Sequence, residues 1–165
     1  MPLFSPGKSG GKGRSGKSGD NEYSFPVYAS GAQEVDPVDT ETTAVAHITV
    51  DKFMRYIDFE VDVFNGVDIT WAHLHCGKAG ENGPVVVPLL ALPRPSVDGS
   101  FASGRITNDI VEGANCPGVS FPEIDSVATL VEAMLAGEVY LNIHSKAHPD
   151  GEVRGQVFFG IDAML

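Results

Sequence analysis

No apolar run in this chain approaches the roughly 20 residues that a membrane-spanning helix requires. The longest, residues 85–92, is interrupted by Pro88, so no membrane span is expected. Cysteine is scarce as well. Cys76 and Cys116 allow one internal disulfide at most, and their spacing fits neither a CxxC redox pair nor a four-cysteine zinc site. The chain also lacks a phosphate-binding glycine loop, a Ser-His-Asp arrangement and a pair of carboxylates placed for acid–base work. Basic residues become rare after residue 19: Lys8, Lys12, Arg14 and Lys17 precede it with no acid among them, which leaves 7 basic against 22 acidic residues, a balance of −15. A body of that charge repels nucleic acid and anionic membrane surfaces, so neither is an expected partner. The opening "MPLFSP" has neither the charged start nor the apolar stretch of a signal peptide. A trimmed chain would look the same, so this does not argue for a cytosolic protein.

What is present reads as one domain behind a tether. Residues 1–22, with "SPGKSGGKGRSGKSG", have the composition of a flexible basic linker, and 23–165 form the folded part. Short alternating runs broken by Gly, Pro, Asp and Asn are the pattern of antiparallel β-structure. In "RYIDFEVDVF", Ile57, Phe59, Val61 and Val63 alternate with Tyr56, Asp58, Glu60 and Asp62, which describes a half-buried strand. Similar runs lie near 25–30, 44–50, 69–76, 84–92, 100–107, 138–145 and 152–159. The fold class is therefore all-β: an antiparallel, Greek-key-like β-sandwich of about seven or eight strands. One segment departs from it. Val127, Leu130, Val131, Met134 and Leu135 recur at helical spacing, with Asp125 or Ser126 placed to cap the start and Gly137 the end, so a short amphipathic helix is expected near residues 126–136. Residues 108–124 read as a long loop.

The period of two also sorts the polar residues. In "WAHLHCG", Ala72, Leu74 and Cys76 share one face and Trp71, His73 and His75 the other. In "VYLNIH", Val139, Leu141 and Ile143 oppose Tyr140, Asn142 and His144; in "EVRGQVF", Val153, Gly155 and Val157 alternate with Arg154 and Gln156. If these strands are neighbours, Trp71, His73, His75, Tyr140, Asn142, His144, Arg154 and Gln156 form one outer surface. A solvated sheet face is the plain interpretation. The chemical one is a three-nitrogen set for copper or zinc, with His73 and His75 projecting together and His144 joining from the next strand. His148, in the turn "KAHPDGE", is a candidate fourth ligand, and His47 is structural. Arg154 is expected to donate to Asn142, Tyr140 or a carboxylate. Because Cys76 points away from His75, a Cys76–Cys116 disulfide is favoured over a buried free Cys76 or a thiolate ligand for copper.

Taken in order, these landmarks resemble the chordin-type CHRD domain family. The resemblance is carried by "ASGAQEVDPVDTETTAVAHITVD" (29–51), "WAHLHCGKAGENGPVVVPLL" (71–90) and "LVEAMLAGEVYLNIHSKAHPDGEVRGQVFF" (130–159), and covers nearly everything after the linker. Asp36-Pro37 stands where the family usually has a double proline. The resemblance implies a secreted or cell-surface (or periplasmic) module that binds a protein or extracellular-matrix ligand and has no established catalytic activity. A second resemblance is to copper/zinc superoxide dismutase, which implies a copper-dependent redox protein in which His73, His75 and His144 hold the metal and Arg154 attracts the anion. Against it, no histidine lies between residues 76 and 143 to bind zinc, and the acidic body repels superoxide.

Overall fold

The computed structural model describes residues 23–90 and 92–158; the linker expected over 1–22 lies outside them. The strands are β1 (Tyr23–Ser30), β2 (Thr43–Val50), β3 (Ile57–Cys76), β4 (Val85–Leu90), β5 (Arg94–Ile106), β6 (Ala114–Asn115), β7 (Glu123–Ile124), β8 (Val139–Ser145) and β9 (Val153–Gln156), with one helix, α1 (Val127–Leu135). Every pairing is antiparallel. The fold is an antiparallel β-sandwich with barrel-like closure, as its alternating pattern implies.

The unexpected element is β3, a single strand of 20 residues where the sequence indicates two. Its first half lies between β2 and β5, its second between β8 and β4, so it belongs to both halves of the sandwich. Its buried positions are odd-numbered in the first half (Ile57, Phe59, Val61, Val63) and even-numbered in the second (Ala72, Leu74, Cys76). The irregular stretch between them produces that net switch, because each extra residue turns the side chains after it to the opposite face, and buried Gly66 and Ile69 mark further changes within it. The irregular stretch holds Asn65 and Asp68 at positive φ, and register shifts fall between Val63 and Gly66 and between Ile69 and Trp71. The switch brings Trp71, His73 and His75 onto the side away from the core. Pro88 is tolerated in β4 because that strand lies at the end of the sheet order and needs fewer ladder donors.

The core joins Phe25 and Val27 of β1, Ile48 of β2, Leu74 of β3, and Leu141 and Ile143 of β8. The helix begins at Ser126, whose hydroxyl accepts from the Thr129 amide while the Thr129 hydroxyl accepts from the Ser126 amide. It buries Val127, Leu130, Val131, Ala133 and Met134, and Gly137 follows at φ 71°. Leu135, expected on the apolar side, is exposed instead. The long loop contains the small β6–β7 hairpin and is tied down twice: Cys116 is joined to Cys76 with a Cα separation of 6.1 Å, and Glu138 accepts from the Ser120 amide and hydroxyl at 2.7 and 2.9 Å.

Candidate metal centre

Strand register assembles the site. Across β3 and β8, Trp71 is opposite His144, His73 opposite Asn142 and His75 opposite Tyr140; across β8 and β9, Asn142 is opposite Arg154 and Tyr140 opposite Gln156. Residues directly opposed in an antiparallel pair share a face, so the eight side chains that the sequence groups together do form one cluster. Within it His73 Nδ1 lies 3.2 Å from His144 Nε2. The ring centroids of His73, His75 and His144 are 5.0–6.0 Å apart, and one ligand atom from each lies within 4.8 Å of the other two. A metal point about 2.0–2.1 Å from three nitrogens needs them roughly 3–4 Å apart, which modest ring rotation supplies.

Two backbone carbonyls orient the rings. His75 Nδ1 lies 2.9 Å from the Gly83 carbonyl oxygen, and His144 Nδ1 lies 2.9 Å from that of Pro149. A carbonyl only accepts, so each Nδ1 carries its proton and each neutral ring offers the Nε2 lone pair. The Nε2 of His144 faces His73 Nδ1 at 3.2 Å, and the outer hydrogen bonds are of the kind that fixes metal-bound imidazoles. The Nε2 of His75 is buried with no hydrogen-bond partner, the sole such side-chain nitrogen or oxygen among the described residues. A buried lone pair without a partner is costly unless something else occupies it. Burial, followed by the proximity of His144 and then His75, lowers the His73 pKa to about 4. Burial also lowers His75 against the opposing effect of the Gly83 hydrogen bond, and lowers His144 against that of Pro149. Each shift favours the neutral ring, the form that coordinates metal.

The polar face is not the outer surface expected from the strand pattern. All of β8 and β9 is buried, because two segments fold over the face. Residues 77–84 form one cover. The buried guanidinium of Arg154 donates to the carbonyls of Lys78 and Glu81 at 2.8 and 2.9 Å and to Asn82 Oδ1 and Gln156 Oε1 at 3.2 Å each. It stacks on the Tyr140 ring, 3.6 Å from the centroid, and that ring stacks in turn on His75 at 5.0 Å. Gln156 donates to the carbonyls of Gly77 and Gly137 at 2.7 and 2.8 Å. The second cover runs through Glu34, whose Oε1 accepts from Asn142 at 2.6 Å. Burial raises the Glu34 pKa against the lowering effects of Asn142, Arg154 and His148.

Several expectations change accordingly. Arg154 gives its hydrogen bonds to loop carbonyls, Asn82 and Gln156 rather than to Asn142, Tyr140 or a carboxylate, and its contact with Tyr140 is through the ring face. At 1% exposure, with its guanidinium bonded to the cover loop, it is not placed to contact an anion directly as the dismutase comparison requires. His148 is not in the converging set; it lines a separate cleft of about 330 Å³ with Thr40, Glu41, Asn65 and Glu152. Trp71 remains 46% exposed and stacks on His73 at 5.9 Å and 22°. His47 is exposed on β2. Gly83, Pro149 and Glu34 are the contributors that sequence reasoning missed. Two of them act through backbone carbonyls, which residue type does not reveal.

A match to the family model of the CHRD domain extends over residues 25–157. No curated protein and no solved structure matched the chain.

Proposed function

The chain belongs to the CHRD domain family, and from that premise we propose that it is an extracellular, non-enzymatic binding module carrying a transition-metal centre at His73, His75 and His144. CHRD domains are protein-interaction modules and are generally extracellular or secreted, which supports the first half of that reading. The metal half rests above all on the orphaned Nε2 of His75, buried beside two further imidazole nitrogens. Three neutral nitrogens with no hard oxygen donor favour copper or zinc over calcium or magnesium. Three protein ligands also leave a coordination position open, unlike the closed four-ligand sets of structural zinc sites. The module's ligand is a protein or matrix component.

The chain supplies its own reporter. Trp71 is the sole tryptophan and stacks on a proposed ligand, so one equivalent of paramagnetic Cu(II) should quench most of the indole emission. Zn(II) should compete for the site without comparable quenching. Alanine at His73, His75 or His144 should abolish the one-to-one titration, whereas His47→Ala should leave it intact. Quenching that survives all three substitutions, or elemental analysis showing no stoichiometric metal after loading, would remove the metal centre from the proposal.

A further inference from the structure

A divalent ion held by three uncharged imidazoles keeps its full double charge. Among the described residues no other histidine, cysteine or carboxylate joins the ligand set, so none of them coordinates the ion as an anion. The one guanidinium nearby makes the imbalance larger: Arg154 lies behind His75, separated from it by the Tyr140 ring. Glu34, in the same cluster, is held by Asn142 at 2.6 Å. A partly buried double charge without a counter-ion is costly. An anion in the open position therefore adds, at the ion itself, a compensation that no protein ligand gives.

We infer that the metal-loaded centre is a receptor for an exogenous carboxylate, admitted on the side of Trp71 and His73; this deepens the three-histidine reading and rests on it. His144 is 7% exposed and forms the inner side, and residues 77–84 close the side of His75. His73 is half-buried and Trp71 is 46% exposed, which leaves their side for entry. The charge of the whole body narrows the anion. Residues beyond 19 carry a balance of −15, seven basic against 22 acidic, and repulsion grows with every negative charge on the incoming ligand. A monoanion is favoured over a phosphate dianion. Trp71 narrows it further, since a half-exposed indole beside the ligand His73 gives an organic body a surface to stack on, and a hydrated inorganic anion gains nothing there. A carboxylate bearing an aromatic group satisfies both conditions.

The test uses the full chain loaded with one equivalent of Cu(II) and followed by electron paramagnetic resonance. Acetate and phenylacetate are titrated in, with acetamide and phenylacetamide as neutral counterparts of the same shapes. Both carboxylates should change the Cu(II) spectrum saturably and neither amide should. Phenylacetate should half-saturate at a concentration roughly 3- to 10-fold below acetate, the worth of one aromatic stack. N-acetylphenylalanine, which imitates a peptide C-terminus, separates the sources of the carboxylate: tighter binding than phenylacetate marks a protein terminus, weaker binding a small free acid. A Cu(II) spectrum that is present and histidine-dependent but indifferent to carboxylates, or one that the amides shift equally, overturns the inference and leaves the metal reading standing. Absence of any histidine-dependent Cu(II) signal overturns both.

Discussion

Lowering the pH to about 5.5 distinguishes this centre from three ordinary surface histidines. An imidazole of ordinary pKa, about 6.5, is only about one-tenth neutral at that pH, so a site needing three neutral rings loses roughly a thousandfold in apparent affinity. Here burial, helped by the neighbouring His144 and His75, holds His73 at a pKa of about 4, and it stays neutral. That removes one factor of ten and caps the loss near roughly a hundredfold; the lowered pKa values of His75 and His144 reduce it further. The assay is Cu(II) competition against a chelator of known pH dependence, read by Trp71 emission at several pH values. A thousandfold loss by pH 5.5 would show that the rings titrate as solvated histidines and refute the argument. Metal-free stability gives a second reading with its own sign. A histidine whose folded pKa is depressed takes up its proton sooner in the unfolded chain, so its stabilising contribution is complete above about pH 6.5 and is lost as pH falls towards the folded value, about 4 for His73. For the half-buried His73 that loss is on the order of 1–2 kcal/mol after allowance for solvent screening, visible as a falling urea midpoint across this window.

Three further outcomes are expected. Arg154→Lys replaces a planar fork shared among two carbonyls, Asn82, Gln156 and an aromatic face with a single ammonium; it should cost roughly 2–4 kcal/mol in urea denaturation and weaken Cu(II) binding through the Gly83–His75 contact. Unchanged stability together with unchanged affinity would count against the linkage. Gly83→Ala would put a Cβ 1.7 Å from the Cys76 carbonyl oxygen, so the loop must rearrange; copper affinity should drop sharply, and a variant that binds like the parent would show that the His75 carbonyl contact is dispensable. Reducing Cys76–Cys116, whose cysteines are 40 positions apart in sequence, should lower stability by about 3–4 kcal/mol, measured by denaturation with and without reductant. Finding free thiols in unfolded, non-reduced protein would contradict the cross-link itself.

Most of the architecture was legible because half-buried strands carry their burial on alternate residues. Ile57, Phe59, Val61 and Val63 are buried as their alternation says, and Ser126 caps the helix from one of the two positions expected. The single 20-residue β3 was not legible, for a definite reason. Gly66, with Asn65 and Asp68 beside it, carries the turn-forming residue types that normally end a strand, and the inward parity changes across them. Both signs are also those of a bulge inside a continuous strand. Only the pairing tells the two apart: the β5 ladder continues across Gly66 as far as Ile69, where pairing with β8 begins.

The site divides along the same line. Parity placed the eight polar side chains on one face, and strand order made them neighbours, yet parity has no bearing on what lies above a face. Arg154 and Gln156 look in sequence like the exposed side of a last strand, because long polar residues are usually exposed. They are buried here because the opposing partners are backbone carbonyls: Lys78 and Glu81 for Arg154, Gly77 and Gly137 for Gln156. The same cover delivers the Gly83 carbonyl to His75. The histidines were thus identifiable from their spacing, whereas their tautomers were not, since these depend on a loop whose position depends on a buried arginine. That dependence also explains why the disulfide belongs to the site. Cys76 anchors the strand end from which residues 77–84 leave, and tying it to Cys116 limits the movement of the first residue of that loop. On the proposed metal centre, affinity, loop order and the cross-link would be coupled through one peptide segment, so that a stabilising change in any of them should favour the other two.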